Sequence, residues 1–170
     1  FDDIVIGAPN SANLNGNTSS GEVFVIFGQE NGSPASFNLT SLNGTNGFRL
    51  YGVNGGDDAG WSVSNAGDVN GDGFDDIVIG APESELRGVQ GEFDYGETYL
   101  IFGSNTGYPS YLNLADLDGY NGLTIVGVDE NDHSGFSVSS AGDINYDGFD
   151  DILIGAYRAN ANNIIDTGES

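Results

Sequence analysis

Short runs of β-branched and aromatic residues alternate with polar, turn-forming residues along this 170-residue chain. The clearest runs are only four to six residues long and are bounded by Gly, Asn or Asp. That pattern favours strands over helices. In the middle of the chain the predicted strands are Trp61–Asn65, Ile77–Gly80, Thr98–Phe102 and Leu123–Val128. The pattern therefore predicts an all-β fold.

These runs recur at a fixed spacing. The segment Phe1–Pro9 returns as Phe74–Pro82 and, with two changes, as Phe149–Tyr157, so the copies start 73 and 75 residues apart. Three other segments match in the same phase, among them Gly60–Gly67 with Gly135–Gly142. Matches at several places in one period indicate a repeat architecture. Four short antiparallel strands in each repeat are typical of a β-propeller blade.

Counting the strands predicts one complete blade and two partial ones. Residues 1–53 would supply strands two to four of a blade, residues 60–128 a complete blade, and residues 135–170 the first two strands of a third. A propeller usually needs roughly four to eight blades. Two interpretations stay open: the chain is a fragment of a longer one, or copies associate head to tail through shared blades.

The charge balance narrows the possible partners. The chain has 3 Lys and Arg against 26 Asp and Glu, for a formal net charge of −23. Such a chain repels nucleic-acid backbones and anionic lipid surfaces. It also has no apolar run long enough to span a bilayer, and no cysteine for disulfides or thiolate metal sites. We therefore expect neither nucleic acid nor direct membrane insertion.

Many of the acids lie in a nine-residue loop between predicted strands. In Asp68–Asp76, side-chain oxygens fall at positions 1, 3, 5 and 9, and Gly73 at position 6 permits a sharp turn. Position 7 would offer a backbone carbonyl, so the Phe74 side chain is free to point into the core. Oxygen donors on a flexible loop suit Ca²⁺, with Mg²⁺ as second choice. The alternative is an Asx-rich turn without a metal.

The loop recurs in phase as Asp143–Asp151, which gives two complete candidate Ca²⁺ sites. Only its last three positions remain at the N-terminus, Phe1–Asp3, so a third site would be incomplete. An EF-hand would need an acid at position 12, where this chain has Ile79 and Ile154. The acids at position 8, Asp75 and Asp150, are expected to face solvent or to lie behind the ligands.

The repeating Phe-Gly and Gly-Ala-Pro segments carry a family resemblance. Phe102-Gly103 and Phe27-Gly28, with Gly80–Pro82 and Gly7–Pro9 in the same frame, resemble FG-GAP repeats. That family builds the seven-bladed propeller of integrin α subunits and of integrin-like bacterial surface proteins. The resemblance implies an extracellular or cell-surface location. It also implies these metal ligands, with Phe74 and Phe149 acting through their carbonyls: Asp68, Asn70, Asp72, Phe74, Asp76, Asp143, Asn145, Asp147, Phe149 and Asp151.

Candidate catalytic groups are few. His133, the only histidine, would be a general base beside Asp132, but a loop residue in phase with Asp58 is the simpler interpretation. Glu83, Glu85 and Glu92 could form a glycosidase acid pair, although they lie in an insertion between strands. Without a nucleophile elbow or a phosphate-binding loop, we expect no enzyme activity.

Three functions remain open from sequence. The first is a calcium-binding adhesion module that takes a protein or carbohydrate ligand at the cell surface. The second is a structural subunit whose further copies assemble into a filament or surface layer. The third is a non-catalytic propeller attached to a secreted enzyme.

Overall fold

A computed structural model describes residues 1–30, 35–85, 94–159 and 168, and within them the chain is built almost entirely of short strands. Two single-turn 3-10 helices, Leu39–Ser41 and Leu114–Asp116, follow β2 and β7. The strands are β1 (Ile4–Ala8), β2 (Glu22–Ile26), β3 (Gly47–Tyr51), β4 (Ser62–Gly67), β5 (Asp76–Ala81), β6 (Glu97–Ile101), β7 (Tyr111–Asn113), β8 (Gly122–Val126), β9 (Ser134–Gly142) and β10 (Asp151–Ala156).

The strands form three sheets. The central sheet has the order β4-β5-β6-β8 with antiparallel neighbours throughout, which confirms the predicted four-stranded blade. The first sheet has the order β1-β2-β3-β7, and the third pairs β9 with β10. The prediction of an all-β fold made of propeller-type blades is therefore confirmed.

β7 is an addition that the repeat pattern did not predict. It lies in the connection between β6 and β8 of the central sheet, yet it pairs with β3 of the first sheet. The pairing is parallel, with Arg49 opposite Tyr111 and Tyr51 opposite Asn113. The rings of Tyr51 and Tyr111 meet edge to face at 5.9 Å. The β6–β8 connection thus covers the outer edge of the first sheet at β3.

The core lies on both faces of the central sheet. One cluster combines Val23, Phe48 and Leu50 of the first sheet with Ile79 and Tyr99 of the central one. On the other face, Ala66, Val78 and Leu100 pack against Val138 and Ile152 of the third sheet. Sheets covered on both faces have almost continuous apolar strands, and β6 is accordingly buried along its whole length.

A glycine at the second-last position of β5 lets adjacent sheets approach closely. A Cβ atom on Gly80 would lie 1.9 Å from the carbonyl oxygen of Gly135, and one on Gly7 would lie 2.0 Å from that of Gly60. No larger residue fits at these distances. The recurring Gly-Ala pair therefore sets the spacing between sheets. In the part of the chain that the structure describes, no helix is long and apolar enough to cross a bilayer.

Candidate metal centres

The first acidic loop connects β4 to β5, and its side chains fold inward onto its own backbone. The Asp68 carboxylate accepts hydrogen bonds from the backbone N–H groups of Gly71, Asp72 and Gly73 at 2.8–3.0 Å. Asn70 Oδ1 accepts from Asp72 N–H. Gly71 and Gly73 have φ of 76° and 89°, a conformation that glycine adopts without strain. The loop is thus already turned around its first acid.

Asp76 closes this loop from inside the protein. It is the first residue of β5 and is only 1% exposed. Its two oxygens accept from Val69 N–H at 2.9 Å and from Gly103 N–H at 2.8 Å. Burial raises the pKa of Asp76, and the nearby charges of Asp72 and Asp68 add to that rise, against the two hydrogen bonds. Three carboxylates therefore repel one another at this point.

The second loop, between β9 and β10, repeats the hydrogen bonds at positions 2, 5, 6 and 7. Asp147 N–H and Gly148 N–H donate to the Asp143 carboxylate, both at 3.0 Å. Ile144 N–H donates to Asp151 Oδ2 at 2.9 Å, as Val69 does to Asp76. Two residues differ: Ile144 replaces Val69, and Tyr146 replaces Gly71. Tyr146 adopts φ of 61°, which is unfavourable for a side chain of this size.

The two loops touch. Asp68 N–H donates to Asp150 Oδ2 at 2.8 Å, and Asp150 N–H donates to the Asp68 carbonyl at 3.0 Å. The Phe149 ring lies against Gly71. Asp150 thus lies behind the first ligand position, one of the two placements expected for it. Asp75 accepts from Asn65 Nδ2 at 3.2 Å on the exposed side.

The expectation that the Phe74 side chain points into the core is wrong. Phe74 is 38% exposed, and its Cβ lies against Gly103 at the end of β6. The physical reason is that β5 begins only at Asp76. Position 7 therefore still belongs to the turn, outside the sheet, and its side chain packs across the end of the sheet.

The incomplete loop at the N-terminus, Phe1–Asp3, keeps the hydrogen bond to the acid at loop position 9. Asp3, which corresponds to Asp76, accepts from Gly28 N–H at 2.8 Å, just as Asp76 accepts from Gly103 N–H. The glycine of each Phe-Gly pair therefore ties the acid at loop position 9 to the third strand of its blade. This contact explains the pairing of the two motifs within one repeat.

The donor set of both complete loops suits a hard cation. It consists of carboxylate, amide and carbonyl oxygens, without imidazole or thiolate, and Ca²⁺ takes six to eight such oxygens at roughly 2.3–2.6 Å. The structure brings Asp68, Asp72 and Asp76 into one electrostatic cluster. The residues present therefore fit calcium.

From sequence, His133 is expected to be a loop residue in phase with Asp58, and the three glutamates to lie in a solvated insertion; catalytic roles are the less favoured alternatives. In the structure, His133 Nδ1 lies 3.4 Å from Glu83 Oε1, and Asp94 joins them. Glu85 forms a β-bridge with Asp94, and Glu92 falls outside the described residues. The spacing of these residues along the sequence does not predict the cluster, because its members lie in two connections that are far apart in the chain.

Comparison with known proteins identifies the repeats. The FG-GAP repeat model matches residues 59–92 and 134–167, each of which contains one acidic loop. The chain is 38% identical to integrin alpha-5 of Xenopus laevis over 69% of this chain and 11% of that protein. It is 28% identical to integrin alpha-PS2 of Drosophila melanogaster over 91% of this chain and 9% of that protein.

A second kind of protein carries similar sequence. The chain is 33% identical to phosphatidylinositol-glycan-specific phospholipase D of Bos taurus, over 64% of this chain and 12% of that protein. The chain therefore spans about a tenth of the length of the curated relatives it matches.

Proposed function

Because this chain contains FG-GAP repeats of the kind found in integrin α subunits, we propose that it is a calcium-binding propeller segment of an extracellular or cell-surface adhesion protein. One observation supports this most strongly. Two loops with oxygen ligands alone recur at the same inter-strand corner of successive blades. In each, the N–H groups of positions 5 and 6 donate to the first acid. An acidic turn that only contacts solvent gives no reason for the same donor set to recur at this position.

In this proposal each loop would hold one Ca²⁺, which supplies positive charge where the carboxylates meet. The ligands are Asp68, Asn70, Asp72, Asp76 and the Phe74 carbonyl in one loop, and Asp143, Asn145, Asp147, Asp151 and the Phe149 carbonyl in the other. Asp68 and Asp143 order the turn through backbone N–H groups. Asp76 anchors it to Gly103, two residues after β6. Binding to the folded state then stabilises that state by mass action.

The blades are proposed to span residues 1–53, 60–128 and 135–170. A protein or carbohydrate ligand would bind the assembled propeller, with adhesion as the outcome and no catalysis by these residues. Assembly of further copies through shared blades is the second candidate. It is favoured by the apolar side chain of Leu153, which is half exposed on β10.

Attachment to an enzyme is the third candidate, and the phospholipase D relative favours it. In that case the catalytic groups would lie in another part of the polypeptide. The chain would serve there as a calcium-stabilised module, so the metal proposal is the same in all three.

Calcium titration of thermal stability tests the metal proposal. With site affinities of roughly 10⁻⁴ M, as in extracellular modules, a hundredfold excess of Ca²⁺ should add about 2.7 kcal/mol per site. Chelator should reverse the gain. The double variant Asp72→Asn with Asp147→Asn should lose most of it, while Glu30→Gln, an exposed acid outside both loops, should keep it. An unchanged melting temperature at about 10 mM Ca²⁺ would disprove the proposal.

A further inference from the structure

A second cluster of metal-ligating side chains lies at the opposite end of the sheets from the acidic loops. β5 begins at Asp76, the last residue of a loop, and ends at Ala81, two residues before Glu83. β9 begins directly after His133 and ends at Gly142, just before the second loop. Glu83 and His133 are therefore separated from the calcium loops by the length of a strand.

The cluster consists of Glu83, Asp94 and His133, whose ligand atoms all lie within 4.8 Å of one another. His133 is only 4% exposed. Among the described residues its buried Nδ1 finds no hydrogen-bond partner, and it faces Glu83 Oε1 at 3.4 Å. A buried polar atom without a partner is costly. Here that atom points at two carboxylates.

The two carboxylates also approach each other. Burial raises the pKa of Glu83, and although the nearby His133 lowers it, the charge of Asp94 and a side-chain hydrogen bond between the two acids raise it again. The ligand oxygens of the two acids lie within 4.8 Å of each other, so a cation between them would offset their mutual repulsion. Asp58 adds further negative charge.

The same backbone contact occurs between the first and central sheets, where the three ligand-type side chains are not found together. Asp58 N–H donates to the Ser19 carbonyl at 3.0 Å, and in the same phase His133 N–H donates to the Asp94 carbonyl at 3.3 Å. Asp58 and His133 have nearly equal φ, 54° and 53°. In the repeat alignment, the positions of Glu83, Asp94 and His133 correspond to Asn10, Ser19 and Asp58. The backbone contact therefore does not require the three ligand-type side chains.

We propose that Glu83, Asp94 and His133 bind a divalent transition-metal ion of the Zn²⁺ class, at a site separate from the calcium loops. Imidazole with carboxylates suits Zn²⁺ and its neighbours, whereas Ca²⁺ takes oxygen ligands alone. The ion would bind Nδ1 of His133 and one oxygen of each acid, with water completing its shell. It would tie the β5–β6 connection to the start of β9.

Arg158 determines which ring nitrogen carries the proton. Its Nη1 lies 3.1 Å from His133 Nε2, so when it donates there the ring proton is on Nδ1 and faces Glu83. An ion on Nδ1 moves that proton to Nε2, and Arg158 must then turn away. Arg158 is exposed and lies over the Tyr157 ring at 5.4 Å, which leaves room for this movement. The ring proton on Nδ1 is the competitor of the metal ion.

The test is a Zn²⁺ titration by calorimetry on the chain held in about 5 mM Ca²⁺, which keeps the acidic loops occupied. We expect one Zn²⁺ per chain, with binding at least about tenfold weaker in Glu83→Gln and in His133→Asn. Asn tolerates the positive φ of position 133. Glu130→Gln removes an exposed acid next to the cluster and should change the affinity less than about twofold.

Co²⁺ in place of Zn²⁺ gives a second readout, because its visible absorption depends on the ligands and geometry around the ion and should change on loss of the imidazole in His133→Asn. Absence of Zn²⁺ binding, or equal binding by the wild type and Glu83→Gln, would overturn the proposal. Should His133→Asn fail to fold, Glu83→Gln decides the question, since that side chain is 38% exposed. The calcium titration is read separately, so either metal proposal can fail alone.

Discussion

The two acidic loops share a sequence pattern but differ in surroundings. In both, the first acid accepts the backbone N–H groups of positions 5 and 6, and the acid at position 9 accepts from the residue at position 2. Yet Asp76 is fully buried, whereas Asp151 is half-buried. Val69 packs on the core, while the equivalent Ile144 is exposed. The local pattern determines the turn, and contacts outside the loop, such as that from Gly103 N–H to Asp76, accompany the deeper burial of its last acid.

The first loop also contacts the neighbouring third sheet. Asp150 hydrogen-bonds its first residue from the adjacent loop, and Phe149 covers Gly71. In a propeller each loop would have such a neighbour. One repeat therefore forms the turn, and the next repeat adds contacts to its first residue and to Gly71.

The largest expected difference comes from the acid at position 9. In Asp76→Asn, one of the two buried N–H groups that now donate to the carboxylate would face an amide NH₂ instead. With calcium removed by chelator, the substitution should therefore destabilise the chain by about 2 kcal/mol or more. Asp151→Asn removes charge at a half-exposed site and should cost less than about 1 kcal/mol. Denaturant unfolding with both variants measures the difference. Equal costs would show that the burial of Asp76 has no energetic effect.

A matched pair of glycines isolates the contact between loops. Gly67 and Gly142 occupy equivalent positions with φ of 75° and 65°, so alanine at either site pays a similar backbone cost of about 1–2 kcal/mol. A Cβ on Gly67 would also lie 2.1 Å from Asp150 Oδ2, whereas one on Gly142 meets nothing within 4 Å.

We therefore expect Gly67→Ala to cost about 1–2 kcal/mol more than Gly142→Ala, because it breaks the hydrogen bond from Asp68 N–H to Asp150. Thermal unfolding of both variants measures this. In an Asp150→Ala background the difference should shrink, and its persistence there would assign the cost to another contact.

The smallest expected effect concerns Tyr146, which is 92% exposed at φ of 61°. Tyr146→Gly removes this strain and, after the entropy cost of glycine, should stabilise the second loop by less than about 1 kcal/mol. Tyr120→Gly is the control, because Tyr120 is equally exposed at 91% but lacks a positive φ. It should destabilise the chain instead. The same sign in both variants would contradict the strain argument.

Sequence reasoning located much of the fold because the repeat supplied internal evidence. The predicted strand Trp61–Asn65 became β4 (Ser62–Gly67), and Thr98–Phe102 became β6 (Glu97–Ile101). The loop hydrogen bonds follow from Asp, Asn and Gly at fixed spacing. These features are local, so the residues that cause them are adjacent in the chain. The identity of the metal ligands stays a prediction until calcium is titrated.

Features that join non-repeating segments could not be predicted in this way. The Glu83–Asp94–His133 cluster depends on two different connections meeting in space, and β7 pairs with a strand about 60 residues earlier. The placement of Phe74 failed for a related reason: whether a turn residue reaches the core depends on where the strand begins. Periodicity carries no information on such contacts.

The pairing of β7 with β3 also affects how the chain folds during synthesis. The ribosome releases β3 at Tyr51, but the strand that covers its edge is complete only at Asn113. At roughly 5–20 residues per second this leaves an interval of about 3–12 s. Throughout that time the β3 edge is an open template for other nascent chains. Co-translational folding of the first sheet is therefore coupled to synthesis of the second.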